Sequence, residues 1–298
     1  MSSNNLPFRQ AFAIQDRELL EFYKHLSLQE CLWDSQINIE FCEKYAQWIT
    51  GSKLNSIKGL EKFHYKNYSN GTSESFVLFY IKNKNRRFRC FKGEYMYHQL
   101  AWRNDWPDWK FIDDEPLDPN DAVVISLPFS DTGNEHHSMK AVLEECEKLE
   151  IPVLIDCAYF GICKDIDFNF DYECVTDVVF SLSKTFPVAH ARIGMRFSKV
   201  DDDDLIFVYN KMNYTNRLGA KIGLSFIENF DPEFVYLKYR DKQEFCCQML
   251  NLQPSNTVIF GIDSNNAFDD YNRGTNTNRL SLNTLYTLEK DDILNLLK

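Results

Sequence analysis

Three short apolar runs constrain this chain more than any other feature: Val123 to Leu127, Val153 to Ile155, and the mostly apolar stretch Val175 to Phe180. Each is too short for a helix and rich in β-branched residues, which suits a strand buried on both faces. Between the first two, Met139, Val142, Leu143, Cys146 and Leu149 recur at helical spacing in a segment starting near Ser138. Ala122 to Asp156 therefore reads as a βαβ unit. Strands alternating with helices predict an α/β fold, with a mainly parallel sheet sandwiched between helices.

The rest of the chain extends this frame. Leu19 to Trp33 reads as a helical arm, and Asn38 to Thr50 as a second helix with Ile39, Cys42, Tyr45 and Ala46 on one face. Ile193 to Phe197 is a return strand. Helices follow at Leu205 to Asn213, Leu218 to Asn229 and Phe234 to Leu250. A small α+β domain would close the chain, with strands at Thr257 to Gly261 and Arg279 to Leu282. With 298 residues and 44% hydrophobic content, there is material for one large domain and a smaller one. The expected division is an N-terminal helical arm with part of the small domain over 1–50, a large domain over 51–229, and a small one over 230–298.

The strand ends carry the chemistry, because open α/β sheets bind ligands beyond the carboxyl ends of their strands. Ile155 runs into Asp156-Cys157-Ala158-Tyr159, and Phe180 into Ser181-Leu182-Ser183-Lys184. A carboxylate at the end of a buried strand is costly unless it meets a cation. A lysine held in a partly desolvated pocket beside another cation has a lowered pKa and can attack a carbonyl. Arg192, eight residues beyond Lys184, can clamp a phosphate bidentately. Taken singly, Asp156 reads equally as a cap, Tyr159 as core and Lys184 as surface. The ordered set points to a lysine imine with a phosphorylated aldehyde cofactor.

Asp156-Cys157-Ala158-Tyr159, Ser181-Leu182-Ser183-Lys184 and Arg192-Ile193-Gly194 resemble the pyridoxal-phosphate enzymes of fold type I, above all the class I/II aminotransferases. The resemblance implies that Lys184 carries the internal aldimine of pyridoxal 5′-phosphate. Asp156 would pair with the pyridine nitrogen, Tyr159 with the ring hydroxyl, and Ser181 and Arg192 with the phosphate. Tyr68 to Ser75 resembles the family's glycine-hydroxyl turn, which adds Gly71, Thr72 and Ser73 to the phosphate set. Phe91 to Tyr97 resembles the segment whose aromatic stacks on the ring, with Tyr95 preferred and Tyr97 the competitor. The family's Asn-Pro-x-Gly turn departs here to Ser130-Asp131-Thr132-Gly133, so Ser130 stands where Asn contacts the ring hydroxyl. Thr277 to Leu282 resembles the strand whose arginine binds the substrate α-carboxylate, which here is Arg279. The chain is short for the family, so its small C-terminal domain is expected to be reduced.

The implied activity is amino-group transfer between an amino acid and a 2-oxo acid through Lys184. A lyase, cyclase, racemase or decarboxylase on the same cofactor is the nearest rival, and a degenerate non-catalytic homologue a further one. The resemblance also implies a homodimer. Tyr95, Tyr97, Trp102 and Phe129 suggest an aromatic-lined substrate pocket.

Charge and composition bear on partners. A net charge of −11 disfavours nucleic acid and anionic membrane surfaces. No apolar stretch approaches a membrane span, and Met1 to Arg9 lacks the apolar core of a signal peptide. Nine scattered cysteines without a Cys-x-x-Cys pair fit reduced thiols in a cytoplasmic protein rather than a disulfide framework or zinc site. His136-His137 is not at ligand spacing and reads as a loop; no metal is expected. Asp201 to Asp204 reads as a helix start, with a metal site as the alternative.

Overall fold

The structure, a computed structural model, describes residues 8–98 and 108–297. Along the chain the strands are β1 (Ser56–Lys58), β2 (Tyr65–Ser69), β3 (Arg87–Cys90), β4 (Trp109–Phe111), β5 (Asp121–Ser126), β6 (Val153–Cys157), β7 (Asp167–Asn169), β8 (Val175–Ser181), β9 (Gly194–Ser198), β10 (Gln253–Pro254), β11 (Phe260–Asp263) and β12 (Asn278–Ser281). The helices are α1 (Arg17–Lys24), α2 (Ile37–Thr50), α3 (Thr72–Lys82), α4 (Met139–Lys148), α5 (Leu205–Lys211), α6 (Arg217–Asn229), α7 (Phe234–Leu250) and α8 (Lys290–Leu297).

A seven-stranded sheet in the order β2-β9-β8-β6-β5-β3-β4 forms the centre. Its pairs are parallel from β4 through β8, and β9 runs against both neighbours. The alternation of side chains along each strand divides the sheet between two cores. Val123, Ile125, Val153, Ile155, Val178 and Phe180 face one cluster, which includes Met139, Leu143 and Cys146 of α4. Val124, Leu154 and Val179 face the other, with Phe76, Phe79 and Tyr80 of α3. All these strand residues are fully buried. Burying an aliphatic side chain of this size contributes about 1.5–3 kcal/mol, so both faces hold the sheet.

β3 carries a charge into this interior. Arg89 and Asp121 are both fully buried, and Arg89 Nη1 donates to Asp121 Oδ2 at 2.6 Å. The remaining guanidinium donors reach the carbonyls of Lys110, Phe111, Glu115 and Pro116. Arg87 Nε donates to the other Asp121 oxygen at 2.6 Å. A buried ion pair is tolerated only when its donors and acceptors are satisfied in this way.

A three-stranded antiparallel sheet, β10-β11-β12, packs on α7 near the C-terminus. Gln243 of α7 ties it down, its amide donating to the carbonyls of Ser255, Thr257 and Phe260. Helix α2 packs against α6, and Trp48 Nε1 donates to the Phe230 carbonyl at 2.8 Å. Among the described residues no helix is long and apolar enough to cross a membrane.

Two expected elements differ. The arm is not one helix: α1 is capped by Asp16, whose side chain accepts from Leu19 N at 3.0 Å, and ends at Lys24; Glu30–Leu32 is a separate 3-10 turn. Trp33 is 86% exposed, so the far end of that stretch has no apolar seat to sustain a helix. The strand expected from Thr257 begins at Phe260 instead. Thr257 is spent on a turn, accepting from Phe260 N and donating its hydroxyl to the Gly133 carbonyl. The acidic run ends in a helix start as expected: Asp204 caps α5 by accepting from Phe207 N at 3.0 Å.

Replacing Asp121 by Asn strands the Arg89 charge in the core. A loss of roughly 3–5 kcal/mol is expected, read as a fall in the urea midpoint at unchanged m-value.

Candidate active site

Strand register assembles the site. Ser126 at the end of β5 lies opposite Asp156 of β6, and Asp156 lies opposite Val179 of β8. Ser181, the last residue of β8, lies opposite Gly194, which lies opposite Ser69 of β2. Five strand termini thus meet at one edge, and the segments that follow them surround a cleft with two lobes.

The inner lobe, about 120 Å³, is lined by Thr72, Ser73, Tyr95, Asp156, Lys184 and Arg192, together with Ser130 and Tyr159. Residues from 12 to 192 in the sequence converge there. Lys184 is half-buried, and its Nζ donates to the Ala11 carbonyl of the N-terminal segment. Asp156 is 4% exposed, and its Oδ1 accepts from Ala158 N at 3.1 Å. His98 Nε2 lies 3.9 Å from Asp156 Oδ2, and the other ring nitrogen is 2.6 Å from the Tyr80 hydroxyl. Tyr80 and His98 thereby reach the carboxylate from α3 and the segment beside it.

Of the two candidate aromatics, Tyr95 faces the cavity, and Tyr97 stacks behind it at 6.1 Å between centroids, against Phe76 and Tyr80. Tyr95 is positioned by Glu94, a fully buried residue whose carboxylate accepts from Tyr95 N at 2.9 Å and from Ser126 N at 2.7 Å. Burial pushes the Glu94 carboxyl above the usual carboxylate range.

One end of the inner lobe is a donor cup. Gly71 caps α3 with φ of +76°, in the left-handed region. Arg192, also left-handed at φ of +56°, donates from Nη2 to Ser73 Oγ at 3.1 Å, and its carbonyl accepts from the Tyr68 hydroxyl at 3.0 Å. A Cβ on Gly71 would lie 2.6 Å from Arg192 Nη2. Only glycine lets the guanidinium lie against this helix start, where α3 contributes its own positive pole. Ser181 sits behind the cup at 3% exposure, donating to Ile193 O at 3.1 Å and sharing a hydrogen bond with Ser183 Oγ at 2.9 Å; of these two serines Ser183 lines the cavity.

The outer lobe, about 370 Å³, shares Tyr95, Ser130, Tyr159 and Lys184 with the inner one and adds Arg9, Arg273 and Arg279. Arg279 of β12 is 6% exposed and lies 4.4 Å over the Phe260 ring. Its Nη1 donates to the Ser130 carbonyl at 2.6 Å and its Nε is buried without a partner. Burial, followed by the charge of Arg273, pushes its pKa down to about 10. Arg273 donates to the same Ser130 carbonyl at 2.8 Å and to the Glu94 carbonyl at 2.8 Å.

Phe129, expected in an aromatic-lined pocket, is instead core, 6.0 Å from Phe91 and 4.7 Å from His136. Trp102 lies outside the described residues. Phe12, which lines both lobes, and Arg273 escaped the sequence reading. The one available signal for Arg273 is its position six residues ahead of Arg279.

No family model and no curated protein matches the sequence. Solved structures do match its fold. An aromatic aminotransferase from Pyrococcus horikoshii OT3 superposes with a TM-score of 0.68 at 12% identity, over 100% of this chain and 94% of that one. A Thermus thermophilus aspartate aminotransferase mutant gives 0.66 at 13% identity, over 97% and 94%. A C-S lyase from Staphylococcus hominis gives 0.65 at 9% identity, over 100% and 90%. The chain has the fold type I aminotransferase architecture. Fold alone does not assign chemistry, so the reaction is argued from the residues.

Gly71→Ala is expected to push Arg192 off the cup and weaken pyridoxal phosphate binding by on the order of tenfold or more, the worth of a charge-assisted hydrogen bond or two. Cofactor titration by fluorescence quenching reads this. Wild-type affinity in the variant would show that the cup does not hold the phosphate.

Proposed function

We propose that the protein is a pyridoxal-phosphate-dependent aminotransferase acting on an amino acid and a 2-oxo acid. The observation that carries this reading is a single cavity holding a lysine amine, a buried strand-end carboxylate, an aromatic ring and an arginine-hydroxyl cup. The donor set fits the cofactor at each end. Arg192, Ser73 and the amides opening α3 suit a phosphate dianion. Asp156 suits a protonated pyridine nitrogen, Tyr95 a ring face, and Tyr159 with Ser130 a ring hydroxyl. The unpartnered Nε of Arg279 leaves a guanidinium donor for the substrate α-carboxylate.

When bound, the cofactor supplies an electrophilic carbonyl carbon and a ring that withdraws electrons. The protein's part is positioning and proton transfer. Asp156 holds the proton on the ring nitrogen, because a buried carboxylate favours a cation beside it. Lys184 Nζ, as a free amine, would take the proton from the substrate α-carbon as base and hand it on as acid. Arg279 fixes the α-carboxylate so that the α-carbon faces Lys184. Tyr95 and Phe12 shield the cleft from water. The nine free, buried cysteines support a reducing compartment, which we take to be the cytoplasm.

A second reading keeps the cofactor and changes the outcome to elimination or another reaction at the α-carbon. Ser130 favours it: a serine in place of the usual asparagine alters the hydrogen bonding at the ring hydroxyl. Pyridoxamine formation from an amino donor separates the two readings.

Homodimer formation belongs to the same proposal. Leu32, Trp33, Met212, Tyr214 and Leu218 are all exposed. Arg217 donates to the Leu32 carbonyl and Asn213 to the Ser35 carbonyl, which draws these segments together. An apolar surface of this kind marks an interaction site.

Protein purified with pyridoxal phosphate is expected to show a visible absorbance band that Lys184→Ala removes. An amino-donor screen should convert that band to the pyridoxamine form; absence of any band in the wild type sinks the proposal. Light scattering at micromolar concentration should give twice the chain mass, and Trp33→Asp should shift it toward the monomer.

A further inference from the structure

The outer lobe holds more positive charge than one α-carboxylate requires. Arg9, Lys184, Arg273 and Arg279 line it, and no carboxylate is among its described lining residues. This occurs in a chain of net charge −11. Cations gathered around a cleft focus a positive potential into it.

The guanidiniums are held mostly by backbone carbonyls, which do not neutralise them. Arg273 and Arg279 share the Ser130 carbonyl, at 2.8 and 2.6 Å. Their other backbone acceptors are the carbonyls of Glu94 and Arg9. Arg9 itself donates to the Asp270 carbonyl at 3.0 Å. Carbonyls fix geometry and leave the net charge in place. Asp131, fully buried and outside the lining of the lobe, forms a loose ion pair with Arg273 at 3.8 Å from its Nη1 and accepts from Thr275 and Thr277, so it offsets part of one charge. Arg279 has no carboxylate within ion-pair distance among the described residues. Like charges held this close in a buried site are relieved by an anion that bridges or faces them.

Building on the proposed function, we infer that the substrate carries a second anionic group, at the end remote from its amino-bearing carbon. Arg279 takes the α-carboxylate. Arg273, with Arg9 at the mouth, takes the distal anion. The substrate class is then an acidic amino acid and its 2-oxo acid, with a carboxylate or phosphate as the distal group. An aromatic or aliphatic side chain would leave Arg273 facing an apolar surface, at a desolvation cost to a charge that Asp131 offsets only in part.

The test uses unreactive acids, because these occupy the outer lobe without needing catalysis. Protein purified with pyridoxal phosphate is titrated by calorimetry with succinate, glutarate, 3-phosphonopropionate and 3-phenylpropionate. At least one of the three dianions should bind about tenfold or more tighter than 3-phenylpropionate, the worth of one charge-assisted pair. Comparing phosphonate with carboxylate tells which distal group is preferred. Arg273→Gln should abolish the preference and leave 3-phenylpropionate within about twofold, whereas Arg279→Gln should weaken every acid. Arg273 also holds the Ser130 loop, so Arg9→Gln provides a rim variant: a severalfold loss of the preference at unchanged Tm. Equal binding of dianions and 3-phenylpropionate by the wild type overturns the inference. So does a preference untouched in both Arg273→Gln and Arg9→Gln. The absorbance band of the same sample scores the cofactor reading separately: equal binding with the band intact refutes the substrate class alone. A dianion preference without the band refutes the cofactor and leaves the acidic-ligand lobe standing.

Discussion

The register of β5, β6 and β8 is the constraint on which the site depends. A slip of one residue would turn every side chain of a strand to the opposite face. In this sheet both faces are cores, so a slip in β6 would exchange Leu154 with its neighbours and mismatch both clusters at once. The apolar interior therefore fixes where Asp156 emerges, although the carboxylate itself contributes nothing to that packing. The same applies to Ser181 and Gly194, which are paired across β8 and β9. Lys184 and Arg192 then reach one cavity because the turn between these paired strands has both ends held.

The parts legible in the sequence were those governed by this apolar pattern. β5, β6 and β8 read as strands because their runs are short and β-branched, with Asp177, 4% exposed, the single charge inside the β8 run. α4 read as a helix because Met139, Leu143 and Cys146 sit on one face, all fully buried. β3 gave no such signal. Arg87-Phe88-Arg89-Cys90 looks like a surface segment, since nothing local shows that Arg89 will meet Asp121 in the core. β2, with Lys66 and Asn67 inside it, was hidden for the same reason. Short strands at the sheet edge, as β2 is, or next to it, as β3 is, take their stability from neighbours distant in sequence, and propensity does not register them.

The site divides along the same line. Asp156, Lys184 and Arg192 could be found because each follows a strand end or its return turn, and the cavity brings them together. Glu94 and His98 act through long-range contacts, to Ser126 and to Asp156, that no spacing rule encodes. Phe12 arrives from the N-terminal segment, where Ala11 also meets Lys184. Arg273 sits in a turn before β12, and its neighbours Gly274 and Thr275 read only as loop.

Ser130 joins the two lobes, and its hydrogen bonding answers why a serine can stand there. Its carbonyl accepts from both Arg273 and Arg279. Nearby, Ser255 Oγ donates to the Thr132 carbonyl and Thr257 Oγ1 to the Gly133 carbonyl, so the loop is pinned to the C-terminal sheet as well. Both terminal nitrogens of Arg273 also approach Ser130 Oγ, at 3.3 and 3.4 Å. A guanidinium has donors and no acceptor, so the serine oxygen must accept from it. The hydroxyl hydrogen is then directed away from Arg273, and Ser130 lines both lobes of the cleft. A short side chain held by a cation thereby keeps a single donor turned from Arg273, where an asparagine amide would bring two donors and a carbonyl acceptor.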